Sequence, residues 1–155
     1  MGKELIYRNI LIVSLDSKFC KDVARELANE LDMFYADCKE LIVYDLINPK
    51  EILEKCGFEY LKKREKSVIK NCAEYENTVI SINFNLYKEY YKLFASTIIF
   101  YLELPKLKLK ETTNKIAYQS RDEFLSKFCN VKLSFERKSK LNATNQIIEK
   151  LGELV

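Results

Sequence analysis

The chain reads as a three-layer α/β/α domain with a five-stranded parallel sheet, and three observations point there. Apolar runs of strand length alternate with helix-sized segments from one end of the sequence to the other. The first run, NILIVSL at 9–15, is apolar almost throughout rather than alternating, which suits a strand covered on both faces. With 155 residues, just under half of them apolar, the chain can bury one core without disulfides and is read as a single domain spanning 1–155.

After the first strand, Val23, Leu27 and Leu31 recur at helical spacing and predict a helix. MFYAD at 33–37 is a short second strand. The segment 49–75 is helical in pattern, opened by Pro49 and interrupted at Gly57. NTVISIN at 77–83 is a third strand, LYKEYYKLF at 86–94 a helix, and STIIFYLEL at 96–104 a fourth strand stopped by Pro105. A polar helix near 120–128, a strand NVKLSFE at 130–136 and a helix at 142–154 complete the order.

Composition bounds the chemistry. Histidine is absent, which removes the commonest general base, the Ser-His and Cys-His nucleophile pairs, and imidazole metal ligation. The five cysteines, at 20, 38, 56, 72 and 129, are widely spaced and never form CxxC, so neither a zinc site nor a disulfide framework is indicated. Net charge is a mild +3, and the basic run PKLKLKE at 105–111 lacks the aromatic or motif context of a nucleic-acid site. The apolar runs are too short to span a bilayer, and MGKELIYR lacks the features of a signal peptide. A cytoplasmic protein with no nucleic-acid or membrane partner is expected.

The segment LIVSLDSKFCKDVARELANEL at 11–31 has the strand, polar loop and helix layout of a phosphate-binding loop, yet its loop holds no glycine. With RNILIV at 8–13, LANELDMFYAD at 27–37, KKREKSVI at 62–69 and NQIIEKL at 145–151, the chain resembles shikimate kinase from end to end. That family is a small P-loop kinase of the nucleoside monophosphate kinase type. The resemblance implies its fold, and an ancestry in ATP- and magnesium-dependent phosphoryl transfer within aromatic amino acid biosynthesis.

The departures lie at the site. The family's first strand enters a GxxGxGKS/T loop, whereas residues 14–22 read SLDSKFCKD. Aligned without gaps, Ser14, Ser17 and Phe19 replace the glycines, Cys20 stands at the phosphate-binding lysine, and Lys21 at the magnesium-binding Ser or Thr. The resemblance thus makes Ser14, Ser17, Lys18, Cys20 and Lys21 a vestigial nucleotide loop, with Lys18 or Lys21 the substitutes for the lost lysine. Asp16 adds a negative charge where phosphates would lie. Asp37 keeps the first carboxylate of the family's Asp-x-Asp pair, a magnesium ligand if magnesium binds, and Lys39 replaces the second. Lys62 stands at the family's substrate-carboxylate arginine, and Arg121 matches a second substrate-binding arginine. Asn83, Phe84 and Asn85 replace a glycine triplet, so Phe84 is expected to fill substrate space. The chain is also short between its fourth strand and last helices, so the family's lid, with its arginine, is expected to be shortened or absent.

Each lost charge-stabilising donor typically costs about 3 kcal/mol, so three of them would cost ~9 kcal/mol if additive. That is about the lower end, ~8 kcal/mol, of enzymatic rate enhancements. The expected function is a pseudoenzyme that keeps the fold for binding or assembly. It would need no cofactor and no small-molecule substrate, and its partner would be another protein or a second copy of itself, with YKEYYKLF as one surface. The alternative is a divergent kinase acting on shikimate or another anionic substrate. It would use ATP and magnesium, with Lys21 and Asp37 as catalytic candidates and Lys39, Lys62 and Arg121 on substrate. A third reading makes Cys20, near a helix N-terminus beside lysines, a sensor thiol of lowered pKa, against a buried inert thiol.

Overall fold

The computed structural model describes residues 9–46, 48–106 and 115–154. Five strands, β1 (Asn9–Ser14), β2 (Phe34–Asp37), β3 (Thr78–Ile82), β4 (Ile98–Glu103) and β5 (Val131–Ser134), form one sheet in the order β2-β3-β1-β4-β5. Every neighbouring pair is parallel, with Leu11 of β1 opposite Ile80 on one side and Ile99 on the other. All six residues of β1 are buried, as its continuous apolar run requires of a central strand.

The pleat of β1 divides the core in two. Ile10 and Ile12 face a cluster completed by α1 (Ser17–Leu31) and α7 (Lys140–Leu154), through Val23, Leu27, Ala143 and Ile147. Leu11 and Val13 face the opposite cluster. That layer is built by α2 (Cys38–Leu46), α3 (Pro49–Cys56), α4 (Phe58–Ala73), α5 (Phe84–Tyr90) and α6 (Lys115–Lys127). The three-layer architecture expected from the sequence is therefore the one observed.

Boundaries differ in instructive ways. The segment 49–75 is two helices, separated at Gly57, whose φ of +85° is one that side-chain-bearing residues rarely adopt. Helix α2 is not foreseen by the periodicity reading. It is capped by Asp37, whose carboxylate accepts the Glu40 N–H at 3.0 Å. The helix expected over 86–94 is α5 followed by a 3-10 turn at Tyr91–Phe94, and α6 starts about a turn earlier than expected. The connection where a shortened lid is expected runs through residues 107–114, outside the described residues.

Candidate functional site

Because β1 is the central strand of a parallel sheet, the turn after it lies in the middle of the carboxyl edge, where open α/β sheets bind ligands. Only Leu15 and Asp16 separate β1 from α1. Residues 17–20, aligned with the glycine loop, are wound into the first turn of the helix. Without glycine to open the path, the chain takes the helical one.

Asp16 closes this turn. Its backbone is extended (φ −103°, ψ 105°), and its carboxylate accepts the Phe19 N–H at 2.8 Å as the N-cap of α1. Lys138, just past β5, places its Nζ 2.5 Å from the same carboxylate. The Asp16 N–H itself donates to Ser14 Oγ at 3.3 Å. A helix N-terminus carries about half a positive charge and attracts anions, and here the chain supplies the anion itself.

Winding the loop into helix also turns its side chains inward. Phe19 packs edge-on against Phe135, with ring centroids 6.2 Å apart. Cys20 is 1% exposed, and its thiol donates to the Ile12 carbonyl at 3.1 Å. Burial pushes this thiol from 9.0 up to about 12, helped by the nearby Asp37 and Asp16 carboxylates and opposed by its backbone hydrogen bonds. The sensor expectation for Cys20 is overturned, because a thiol enclosed by the core cannot keep its thiolate.

The remaining loop cations are engaged. Lys21 pairs with Glu40 at 2.7 Å, and that hydrogen bond raises its pKa. Lys18 points outward, 3.8 Å from Asp22. Ser17, Cys20, Lys21, Asp37 and Lys39 do share one cleft, closed by Glu40, with a volume of about 160 Å³. Ligand pockets usually enclose about 300 Å³ or more. Lys18 lines a separate hollow with Asp16, Asp22, Lys138 and Lys140.

Asp37, at 6% exposure, is spent on structure. One oxygen caps α2, and the other accepts the Ser81 hydroxyl at 2.6 Å. Ser81 is also within 3.1 Å of the Tyr35 hydroxyl. Among the described residues, no group of three or more Cys, Asp or Glu side chains could hold a metal ion.

Of the expected substrate cations, Lys39 lines the cleft, while Lys62 and Arg121 have internal partners. Lys62 sits 3.2 Å from both Glu65 and Glu89 and 5.5 Å from the centre of the Phe58 ring. Burial pulls its pKa down, but the bonds to Glu89 and Glu65 outweigh this and hold it above the ordinary value. The Tyr90 hydroxyl donates to Glu65 at 2.8 Å, completing the cluster. Arg121 stacks 5.2 Å over Phe84, which meets Phe124 edge-on. Asn83 caps α5 by accepting the Leu86 N–H at 2.9 Å, so residues 83–85 form a helix start.

Two features escaped the sequence reading. Lys138 reaches Asp16 only through the fold, and no spacing signals it. At the carboxyl end of β4, Glu103 pairs with Lys132 at 2.8 Å, while Asp122 of α6 accepts the Tyr101 hydroxyl at 2.7 Å. The abrupt charge of Glu103 at the end of the apolar run 98–102 was the available signal.

Comparison with known proteins agrees with this geometry. The shikimate kinase family profile matches residues 21–153. Among solved structures, shikimate kinase from Aquifex aeolicus superposes with a TM-score of 0.70 at 20% identity, covering 93% of this chain and 96% of that one. Shikimate kinase from Acinetobacter baumannii, solved in complex with shikimate, gives 0.71 at 17% identity over 95% and 94%. The Bacteroides thetaiotaomicron enzyme gives 0.65 at 13% identity over 94% and 98%. No curated protein matches the chain significantly. With the profile covering most of the chain and the same fold recurring over nearly its full length, the protein belongs to the shikimate kinase family.

Proposed function

We propose that this family member has given up ATP-dependent phosphoryl transfer to shikimate and keeps the fold for binding or assembly. The observation that carries the reading is Asp16: its carboxylate sits on the N-terminus of α1, bonded to the Phe19 N–H and paired with Lys138. A phosphate approaching this turn would meet the Asp16 carboxylate, and the Phe19 and Cys20 amides are already engaged. The Cys20 thiol, enclosed where the family has lysine, offers no cation. Asp37 is committed to capping and to Ser81, so magnesium would find one occupied carboxylate and no phosphate to share it. The residues present do not fit ATP·Mg.

The partner in this reading is another protein, an enzyme of aromatic amino acid biosynthesis or a second copy, and the setting is the cytoplasm. Among the described residues, no helix is long and apolar enough to cross a membrane.

Titration calorimetry tests the reading. ATP·Mg is added with and without shikimate, beside a shikimate kinase with an intact loop. The expected result is no binding heat from this chain and a normal isotherm from the control. Micromolar binding would overturn the reading and favour the divergent kinase, using Lys18 or Lys21 on phosphate.

A further inference from the structure

Strand β2 forms one edge of the sheet, and among the described residues it is paired with β3 alone. Its Phe34 N–H donates to the Asn77 carbonyl on that side at 2.9 Å. Bonding groups alternate along a strand, so the Tyr35 N–H and C=O point the other way, to the open side. Phe34 itself is 71% exposed although it begins a strand of the sheet. It borders a hollow of about 290 Å³ shared with Ala36 and Tyr75. A cavity of about 150 Å³ can hold a benzene ring, so one aromatic side chain fits there.

We propose that β2 pairs antiparallel with β2 of a second copy about a two-fold axis at Tyr35, joining the two five-stranded sheets into one. The two Tyr35 residues exchange both N–H···O=C bonds, which uses the groups directed to the open side. On this register Phe34 of each copy stands directly opposite Ala36 of the other. That is the narrow, non-hydrogen-bonded pairing, in which Cα atoms lie about 4.5 Å apart. Both side chains belong to the face on which Ala36 packs against the layer containing α4. The large ring thus meets the small residue beside the hollow, and one two-fold operation fills both hollows at once.

Charge points to the same occupant. Arg25 lies over the Tyr35 ring, 5.3 Å from its centre. Lys21, one turn earlier on α1, sits near the carboxyl end of β2 through its 2.7 Å pair with Glu40. Reversing the strand direction brings Arg25 of one copy toward Glu40 of the other, an opposite-charge approach that the symmetry repeats. This dimer deepens the assembly reading above and rests on it for the kind of partner. The two can fail separately: a monomer leaves the loss of phosphoryl transfer standing, and binding of ATP·Mg leaves this edge standing.

Sedimentation velocity of the full-length protein over a dilution series, with amide hydrogen exchange at its two extremes, tests the pairing. The expected result is a reversible dimer of twice 18.3 kDa, with the Tyr35 amide exchanging more slowly at high concentration. Phe34→Glu is expected to weaken dimerisation by about thirtyfold or more, the loss of a ~2 kcal/mol anchor. Arg25→Glu is expected to weaken it by about tenfold, and decides if Phe34→Glu does not fold. A monomer across the whole series overturns the proposal. So does a dimer that these substitutions leave intact, or one in which the Tyr35 amide exchanges as fast as in the monomer.

Discussion

Position 20 shows how the fold, and not the residue alone, decides which way a side chain faces. Helix α1 begins at Ser17 and turns position 20 toward the Ile12 carbonyl, so a lysine placed there would be aimed into the core. Cys20→Lys would place an ammonium at a site only 1% exposed. Burying an unpaired charge costs several kcal/mol even after relaxation, so this variant is expected to lose about 3 kcal/mol or more of stability. No ATP turnover is expected from it. Urea unfolding and a phosphate-release assay check both, and a variant as stable as its parent that hydrolyses ATP would show that the turn can rewind into a phosphate loop. The lack of glycine in residues 14–22 and the position of Cys20 were legible in the sequence. Its orientation was not, because winding four residues into helix changes which of them face the core. Lys138 was equally hidden, being far from Asp16 in sequence and joined to it only by the return of β5.

At the scale of elements, strands were the more legible because their apolar runs are bounded by polar residues. Helix α2 was missed although it carries a start signal. Asp37 followed three residues later by Glu40 is the pattern of a capping box, but the apolar run LIVY at 41–44 reads as easily as a strand. YKEYYKLF was read as one partner surface and 120–128 as a polar helix, yet the aromatics of 84–94 and 124–128 pack against one another and identify what holds α6. Phe124 meets Phe84, Tyr87, Tyr91 and Phe128 with centroids between 4.8 and 6.2 Å. Removing a core phenylalanine costs about 3–5 kcal/mol, and since Phe124 is half-buried the lower figure applies to Phe124→Ala. Hydrogen exchange in that variant is expected to accelerate in α6 before α1, which is anchored on the other face of the sheet. A loss under about 1 kcal/mol, or uniform acceleration, would mean that α6 is held by the Tyr101–Asp122 bond rather than by its rings.

Across the whole molecule, the absence of histidine noted from composition acquires a consequence once burial is known. Burial pushes the phenols of Tyr87, Tyr90 and Tyr101 and the thiols of Cys20 and Cys129 upward, and the Cys72 hydrogen bond does so for Cys38. The Glu40 and Glu103 carboxylates raise Lys21 and Lys132 in the same direction. A group whose pKa is raised by folding contributes stability that is complete below its unfolded value and is lost as pH climbs toward its folded value. All these contributions therefore disappear on the alkaline side. Cys20, going from 9.0 to about 12, accounts for ~4 kcal/mol of the loss when fully titrated. From about pH 6 to about 8 no side chain of ordinary pKa titrates in a protein without histidine, so stability should be flat there. Urea midpoints measured from neutral to alkaline pH are expected to show that plateau, then a fall beginning near pH 9 that is shallower in Cys20→Ala than in the parent. A slope through neutrality would reveal a group poised to exchange protons at about pH 7, the equipment of a general base.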